Sequence, residues 1–266
     1  MTVDRQKGSV LLDHQAVPGF MEAMTMSYKL RDPSIVDELH PGDQIAASLL
    51  VHQTANGYED PRLDEIVITA QGKPDYKPAV QYHVPAVGDA VPDFKLMNEN
   101  GRMIHIAEFR GKVLLITFVY TRCPLADYCP KMSRNFAEID GALKKNPKLY
   151  RDTHLLSVSF DPGYDTPAVL KSYGGAYTGE YTRSRFEHWD FAVPPQAELA
   201  AVLQWFGVGV TPGENQTLQH SLSTAVVGKD GKLLAWYPSN DWTPAQVLAV
   251  VEPAAAVQAT RRAERR

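Results

Sequence analysis

The chain has 266 residues, 44% of them hydrophobic, a formal net charge of −4 and two cysteines. Its length suits one large or two ordinary domains, and a mildly acidic chain with no basic face interleaved with aromatics argues against nucleic acid as a partner. Two cysteines cannot build a disulfide scaffold or a four-cysteine zinc site, and the longest apolar run, residues 113–120, is far too short to cross a bilayer. No apolar stretch follows the polar residues 1–6, so no signal peptide is read. The expectation is a cytosolic protein or a mature or trimmed form, with any membrane attachment made by an anchor absent from this chain.

Residues 1–72 are expected to form a small all-β domain. Strands are predicted over 9–12, 24–30, 44–52 and 63–70, with a helical turn or two at 33–39 and turns at Pro41-Gly42-Asp43 and Ala55-Asn56-Gly57. Several short strands separated by turn signals suggest a barrel. Residues 73–87, which include Lys73-Pro74 and Lys77-Pro78, read as an extended, semi-rigid linker.

Residues 88–252 alternate strands with helices. A hairpin is predicted for 94–97 and 103–106 across Asn98-Glu99-Asn100-Gly101. Buried strands follow at 113–120 and 155–160, then a helix at 166–177 with Thr166 as N-cap and Pro167 at the first position. A strand at 189–193, a helix at 196–206, a hairpin of 221–227 with 232–237, and a helix opened by Thr243-Pro244 complete the domain. Residues 253–266 are expected to be a flexible tail. The pattern is that of an α/β layer fold, with chemistry at the C-terminal edge of its sheet.

Both cysteines fall at that edge, in Thr121-Arg122-Cys123-Pro124-Leu125-Ala126-Asp127-Tyr128-Cys129-Pro130. A helix follows, with Met132, Phe136, Ile139 and Leu143 at helical spacing. Cys129 is expected near the N-cap, where the helix dipole favours a thiolate. Six helical steps leave the two cysteines on different faces, so they meet only if the segment between them loops. Two thiolates suit Cu(I), a soft cation, and a third ligand is expected. Of the eight histidines, His220 precedes an apolar strand; from the residues alone it is either that ligand or an ordinary loop histidine. His40, His52, His83, His105, His154 and His188 are expected at the surface or in a second layer. Asp161 and Asp165 are adequately explained as turn and helix-start residues.

Met24-Thr25-Met26 places two thioethers on alternate positions of a predicted strand, with His14 ten residues before the first. Such a set either fills a core or forms a soft, uncharged site for Cu(I) or Ag(I).

Val87-Gly88-Asp89-Ala90-Val91-Pro92-Asp93-Phe94, Cys123-Pro124 with Cys129-Pro130, Ser159-Phe160-Asp161-Pro162 with Asp165-Thr166-Pro167, and His220-Ser221 before a strand and Asp230-Gly231 resemble the Sco/SenC family. The resemblance implies a thioredoxin-like fold and copper held by Cys123, Cys129 and His220. That family's usual cysteine pair has three intervening residues; here there are five, which leaves room for dithiol chemistry. His14 and Gly19-Phe20-Met21-Glu22-Ala23-Met24-Thr25-Met26 are similar to the CusF-like copper-binding domain, a small OB-type barrel. This implies His14, Met24 and Met26 as ligands, with Met21 where CusF has a tryptophan over the metal.

Together the resemblances imply a copper metallochaperone of the periplasm or cell envelope. Its implied partner is a cuproprotein such as the cytochrome c oxidase subunit that carries the CuA centre. A thiol–disulfide oxidoreductase acting through Cys123 and Cys129, and a copper-resistance buffer, are the alternatives.

Overall fold

The computed structural model describes all residues except 1, 6–7, 19, 22–23, 55–56, 74–82, 182–185, 213–216 and 257–266. Most of the expected linker, the turn residues Ala55 and Asn56 and most of the expected tail therefore lie outside the described residues. Two compact units are present. One comprises Met1–Pro85, Ala200–Ser223 and Pro238–Asp241; the other comprises Ala86–Leu199, Thr224–Tyr237 and Trp242–Arg266.

The first unit contains a five-stranded sheet of β1 (Thr2–Asp4), β2 (Ser9–His14), β3 (Met24–Leu30), β4 (Gln44–Thr54) and β5 (Gly57–Ala70), in the order β1-β2-β3-β5-β4. All pairings are antiparallel except β3 with β5, which is parallel at Lys29↔Arg62 and Leu30↔Leu63. Val10 and Leu12 alternate onto the face that packs with Tyr28, Leu30, Val36, Leu39 and Leu63. The 3-10 turn Pro33–Asp37 starts where Asp32 Oδ1 accepts from Ser34 N at 2.9 Å. β5 begins six residues before the expected Leu63; Glu59-Asp60-Pro61-Arg62 carries no apolar alternation from which that extension could be read. Glu65, at φ 49, lies where the β4–β5 register shifts, as in a bulge. The same unit holds a two-stranded pair that the sequence did not announce.

The second unit is built on β6 (Lys95–Asn98), β7 (Met103–His105), β8 (Val113–Val119), β9 (Thr153–Ser159) and β10 (Trp189–Val193). In the first unit β11 (Val210–Pro212) and β12 (Leu218–His220) form the antiparallel pair just mentioned, and β13 (Thr224–Val227) and β14 (Leu233–Tyr237) return to the second. The resulting seven-stranded sheet has the order β14-β13-β8-β9-β10-β6-β7, parallel from β8 through β10 and antiparallel on either side. Every residue of β8, β9 and β10 is buried, as parallel strands covered on both faces require.

Helix α1 (Cys129–Lys144) buries Met132, Phe136, Ile139 and Leu143, the stripe that its spacing predicts. It starts with Cys129 itself, so Pro130 takes the second helical position instead of the first. The short α2 (Pro147–Asp152) was not expected, although Asn146 caps it by accepting from Lys148 N and Leu149 N. α3 (Pro167–Thr178) has the predicted cap, Thr166 Oγ1 accepting from Val169 N at 3.4 Å. α4 (Gln196–Trp205) and α5 (Pro244–Ala256) follow; α5 continues through Pro253, past the expected end.

His154 and His188 are not surface residues: they are 5% and 4% exposed. In strands and strand entries buried on both faces a polar side chain has no outside to turn to, and it must find partners within. His188 Nδ1 lies 2.7 Å from Asp140 Oδ1, and its Nε2 lies 2.9 Å from Thr153 Oγ1. His154 Nε2 lies 2.7 Å from Asp190 Oδ2, whose other oxygen accepts from Asn98 Nδ2 at 2.9 Å. Burial alone would raise the Asp190 carboxyl, but these hydrogen bonds hold it below its ordinary value. Glu99 beside it has no histidine partner among the described residues, although Asn100 Nδ2 donates to its Oε1 at 2.5 Å. Burial, and then the charge of Asp190, push it from 4.5 to about 7, although Phe191 N donates to it at 3.1 Å.

A carboxyl raised on folding keeps its proton in the folded state at pH values where the unfolded chain has released it. Its contribution is therefore complete below pH 4.5 and is lost as the pH climbs to about 7. Urea denaturation should show on the order of 2–3 kcal/mol of stability disappearing over that window, and Glu99→Gln should flatten this part of the profile.

Candidate metal centre

The apolar strand β8 delivers the chain to the cysteine loop, and the loop is pinned at its root. Asp165, fully buried, accepts from Thr121 N at 3.1 Å, from Thr121 Oγ1 at 2.5 Å and from Ser159 Oγ at 2.5 Å. Its burial raises its pKa, against the pull of those three donors. Arg122 Nη2 bonds Asp161 Oδ2 at 2.6 Å, and its guanidinium lies over the Tyr164 ring at 4.2 Å. Asp161 and Asp165 thus do more than shape a turn. They tie the segment after β9 to the residues just before Cys123. The sequence signal was their presence after a buried strand; their target was invisible because it lies some forty residues upstream.

Two short turns then fold the loop. Cys123 N donates to Tyr120 O at 3.3 Å, and Tyr128 N donates to Leu125 O at 3.1 Å. Arg134 Nη2, from α1, donates to Ala126 O at 2.9 Å. The five intervening residues are thereby taken up outside the line between the two sulfurs. Cys123 is half-buried and Cys129 is fully buried, and both are free thiols. Burial drives the Cys129 thiol well above its ordinary value, helped by its hydrogen bond with Cys123 and the proximity of that sulfur. This corrects the expectation of a thiolate favoured by the helix dipole. The first turn of α1 does surround Cys129, but the loss of water outweighs it.

His220 ends β12 opposite Val210, and it is buried. Its Nδ1 lies 2.9 Å from Ser221 O. A carbonyl only accepts, so Nδ1 carries the proton and Nε2 keeps the lone pair a metal needs. The following residues are fixed as well: Ser221 Oγ accepts from Gly209 N at 2.9 Å, and Ser223 Oγ donates to Phe206 O at 2.8 Å. Ligand atoms of Cys123, Cys129 and His220 all lie within 4.8 Å of one another. Two sulfurs and an imidazole nitrogen make a soft donor set, suited to Cu(I).

In the N-terminal sheet, β2–β3 pairing sets Met24 opposite His14 and Met26 opposite Leu12. Met26 packs against the core cluster. His14 Nδ1 lies 2.7 Å from Gln15 O, its ring meets Tyr28 edge-on at 5.6 Å, and its buried Nε2 has no hydrogen-bond partner among the described residues. Met21 pairs with Val17 across a tight turn, and its Sδ accepts from Tyr28 Oη at 3.4 Å.

A mixed sheet with helices, whose central strand hands a cysteine pair to a helix start within reach of a histidine, is a thioredoxin-like domain with a candidate soft-metal centre. The chain belongs to the SCO1/SenC family, whose pattern matches residues 85–256. Residues 1–59 match the copper binding periplasmic protein CusF family. The SCO1 protein homolog of Bacillus subtilis is 29% identical over 158 residues, which are 58% of this chain and 76% of that protein. The structure of Bradyrhizobium japonicum ScoI with copper bound superposes with a TM-score of 0.51 at 25% identity, over 64% of this chain and 99% of that one. A SCO1/SenC family lipoprotein from Bacillus anthracis shares the fold at a TM-score of 0.54 and 22% identity, over 64% and 97% of the two chains.

Asp165→Ala leaves three donors without an acceptor. It should cost about 2–4 kcal/mol in urea denaturation and should speed the reaction of Cys123 with a thiol reagent. Asp165→Asn, which keeps an acceptor oxygen, should do less of both.

Proposed function

We propose that this protein is a copper metallochaperone that carries copper as cargo at two soft sites. The observation that carries the reading is the convergence of Cys123, Cys129 and His220. In this reading the two sulfurs and His220 Nε2 hold Cu(I), while Asp165 and Arg122 fix the loop so that the sulfurs stay paired when the ion leaves. The copper-bound ScoI of Bradyrhizobium japonicum supports the metal. BsSco, 28% identical, is a member of the Sco family of cytochrome c oxidase assembly proteins, which supports an oxidase subunit, and its CuA centre, as the recipient. The match to a periplasmic protein and the lipoprotein relative support the cell envelope as the location. Among the described residues no helix is long and apolar enough to cross a membrane.

The N-terminal site in this reading is His14 with Met24 and Met26. The strand order β1-β2-β3-β5-β4 with its parallel β3–β5 contact supports an OB-type barrel for residues 1–72. We take 73–87 as the linker, 88–252 as the Sco domain and 253–266 as the tail. Tethering two sites raises the effective concentration of each for the other.

A second reading rests on the unequal exposure of the cysteines. The more open Cys123 sulfur would attack a target disulfide, and Cys129 would resolve the mixed disulfide. The target would leave as a dithiol and the chain would retain the oxidised pair, to be reduced by an external thiol. BsSco is described as having a disulfide switch. A copper-resistance buffer, the third reading, would hold metal without passing it on.

Anaerobic Cu(I) titration of the reduced chain should show about two equivalents bound, and Cys123→Ser should lose one. His220→Ala should weaken the remaining thiolate site roughly 10- to 100-fold while leaving disulfide exchange intact. The loaded chain should also metallate an apo CuA domain. Stoichiometry near zero would leave only the dithiol reading, and binding without transfer would leave only the buffer.

A further inference from the structure

The geometry points to Met21 as a third thioether ligand in the N-terminal site, its sulfur held in position by the hydroxyl of Tyr28. This rests on the reading of that sheet as a copper site. Alternation along β2 puts Val10, Leu12 and His14 on one face, and the first two are core residues. Alternation along β3 puts positions 24, 26, 28 and 30 on one face; Tyr28 and Leu30 are core residues, and Met26 packs against them. His14 and position 24 stand opposite each other at the end of this shared face.

The chain between the two strands folds back over that end. Val17 N donates to Met21 O at 2.7 Å, and Met21 N donates to Val17 O at 3.0 Å. The turn brings the Met21 sulfur to the Tyr28 hydroxyl, 3.4 Å away, while the His14 ring sits against the edge of the same tyrosine ring. One side chain, Tyr28, is therefore touched by both the imidazole and the Met21 thioether.

Two further features favour a ligand here. His14 Nδ1 is engaged with the Gln15 carbonyl, so Nε2 is the atom with the lone pair, and it is buried with no partner among the described residues. A hydroxyl-to-thioether hydrogen bond is weak, so a soft ion displaces it at small cost while the sulfur is already in position. One imidazole and three thioethers bear no charge. Such a set takes Cu(I) or Ag(I) and holds Cu(II) and Zn(II) poorly. Coordination at Met21 releases Tyr28 Oη from sulfur, which gives the site an internal reporter.

The test uses the full chain carrying Cys123→Ser and Cys129→Ser, so that only the N-terminal site remains, with Ag(I) and Cu(I) as probes. X-ray absorption should count three sulfurs and one nitrogen around the ion, and ultraviolet difference spectra should show a tyrosine change on loading. Adding Met21→Leu should reduce the count to two sulfurs, remove the tyrosine change and weaken binding by at least the roughly tenfold that even an outer-shell partner is worth. Two sulfurs before any change at position 21 would overturn the role of Met21 and leave the copper reading of the sheet standing. Failure of this chain to bind either ion would overturn both, with the cysteine centre judged separately in the chain that retains it. The sulfur count decides the matter even should Met21→Leu fail to fold.

Discussion

The loop that carries the cysteines depends on one buried carboxylate. A strand such as β8 ends in a length of chain whose backbone and hydroxyl groups would otherwise face the interior unpaired. Asp165 meets two of them at Thr121 and ties in Ser159 at the end of the neighbouring strand. Because β8 and β9 are locked in parallel register from Val113↔Thr153 to Val119↔Ser159, the anchor and the strands reinforce each other. The position of Cys123 is thus set by the sheet and not by the loop's own preferences. This is how a loop of unusual length still presents its two sulfurs together.

The α/β architecture was legible because its elements carry strong local signals. Residues 113–119 are an apolar run but for Thr117, Leu155, Leu156, Val158 and Phe160 mark the next buried strand, α1 has a clean helical stripe, and Thr166-Pro167 is a helix start in plain form. The elements that escaped notice are short or polar. β12 is three residues long and ends on the histidine itself, and the first half of β5 is charged. Neither produces a period to read. Their pairing comes from partners distant in sequence, which a single chain does not display.

The site shows the same division. Cys123 and Cys129 were visible from composition and placement alone, whereas His220, the best placed of the histidines, could be read as a ligand or as an ordinary loop histidine until a family resemblance favoured the ligand. Two physical expectations were corrected for a common reason. The Cys129 thiol was expected to be acidified by a helix start, and His154 and His188 were expected at the surface or in a second layer, of which the surface alternative does not hold. Burial decides each of these, and burial is a property of the assembled layers, not of local sequence. Asp161 and Asp165 were recognised only as turn and helix-start residues because Thr121, which Asp165 also binds, follows another strand.

The inequality between the two thiols sets a direction for ligand exchange. Cys129 is enclosed on the helix side, and Cys123 looks outward beside the solvent-exposed Leu125. Under the proposed copper reading, an acceptor's sulfur or imidazole would meet a bound ion past Cys123 and displace that bond first. Cys129 would be left as the last grip on the cargo. A hand-over in this order would keep the metal coordinated throughout, with no naked cation released to water.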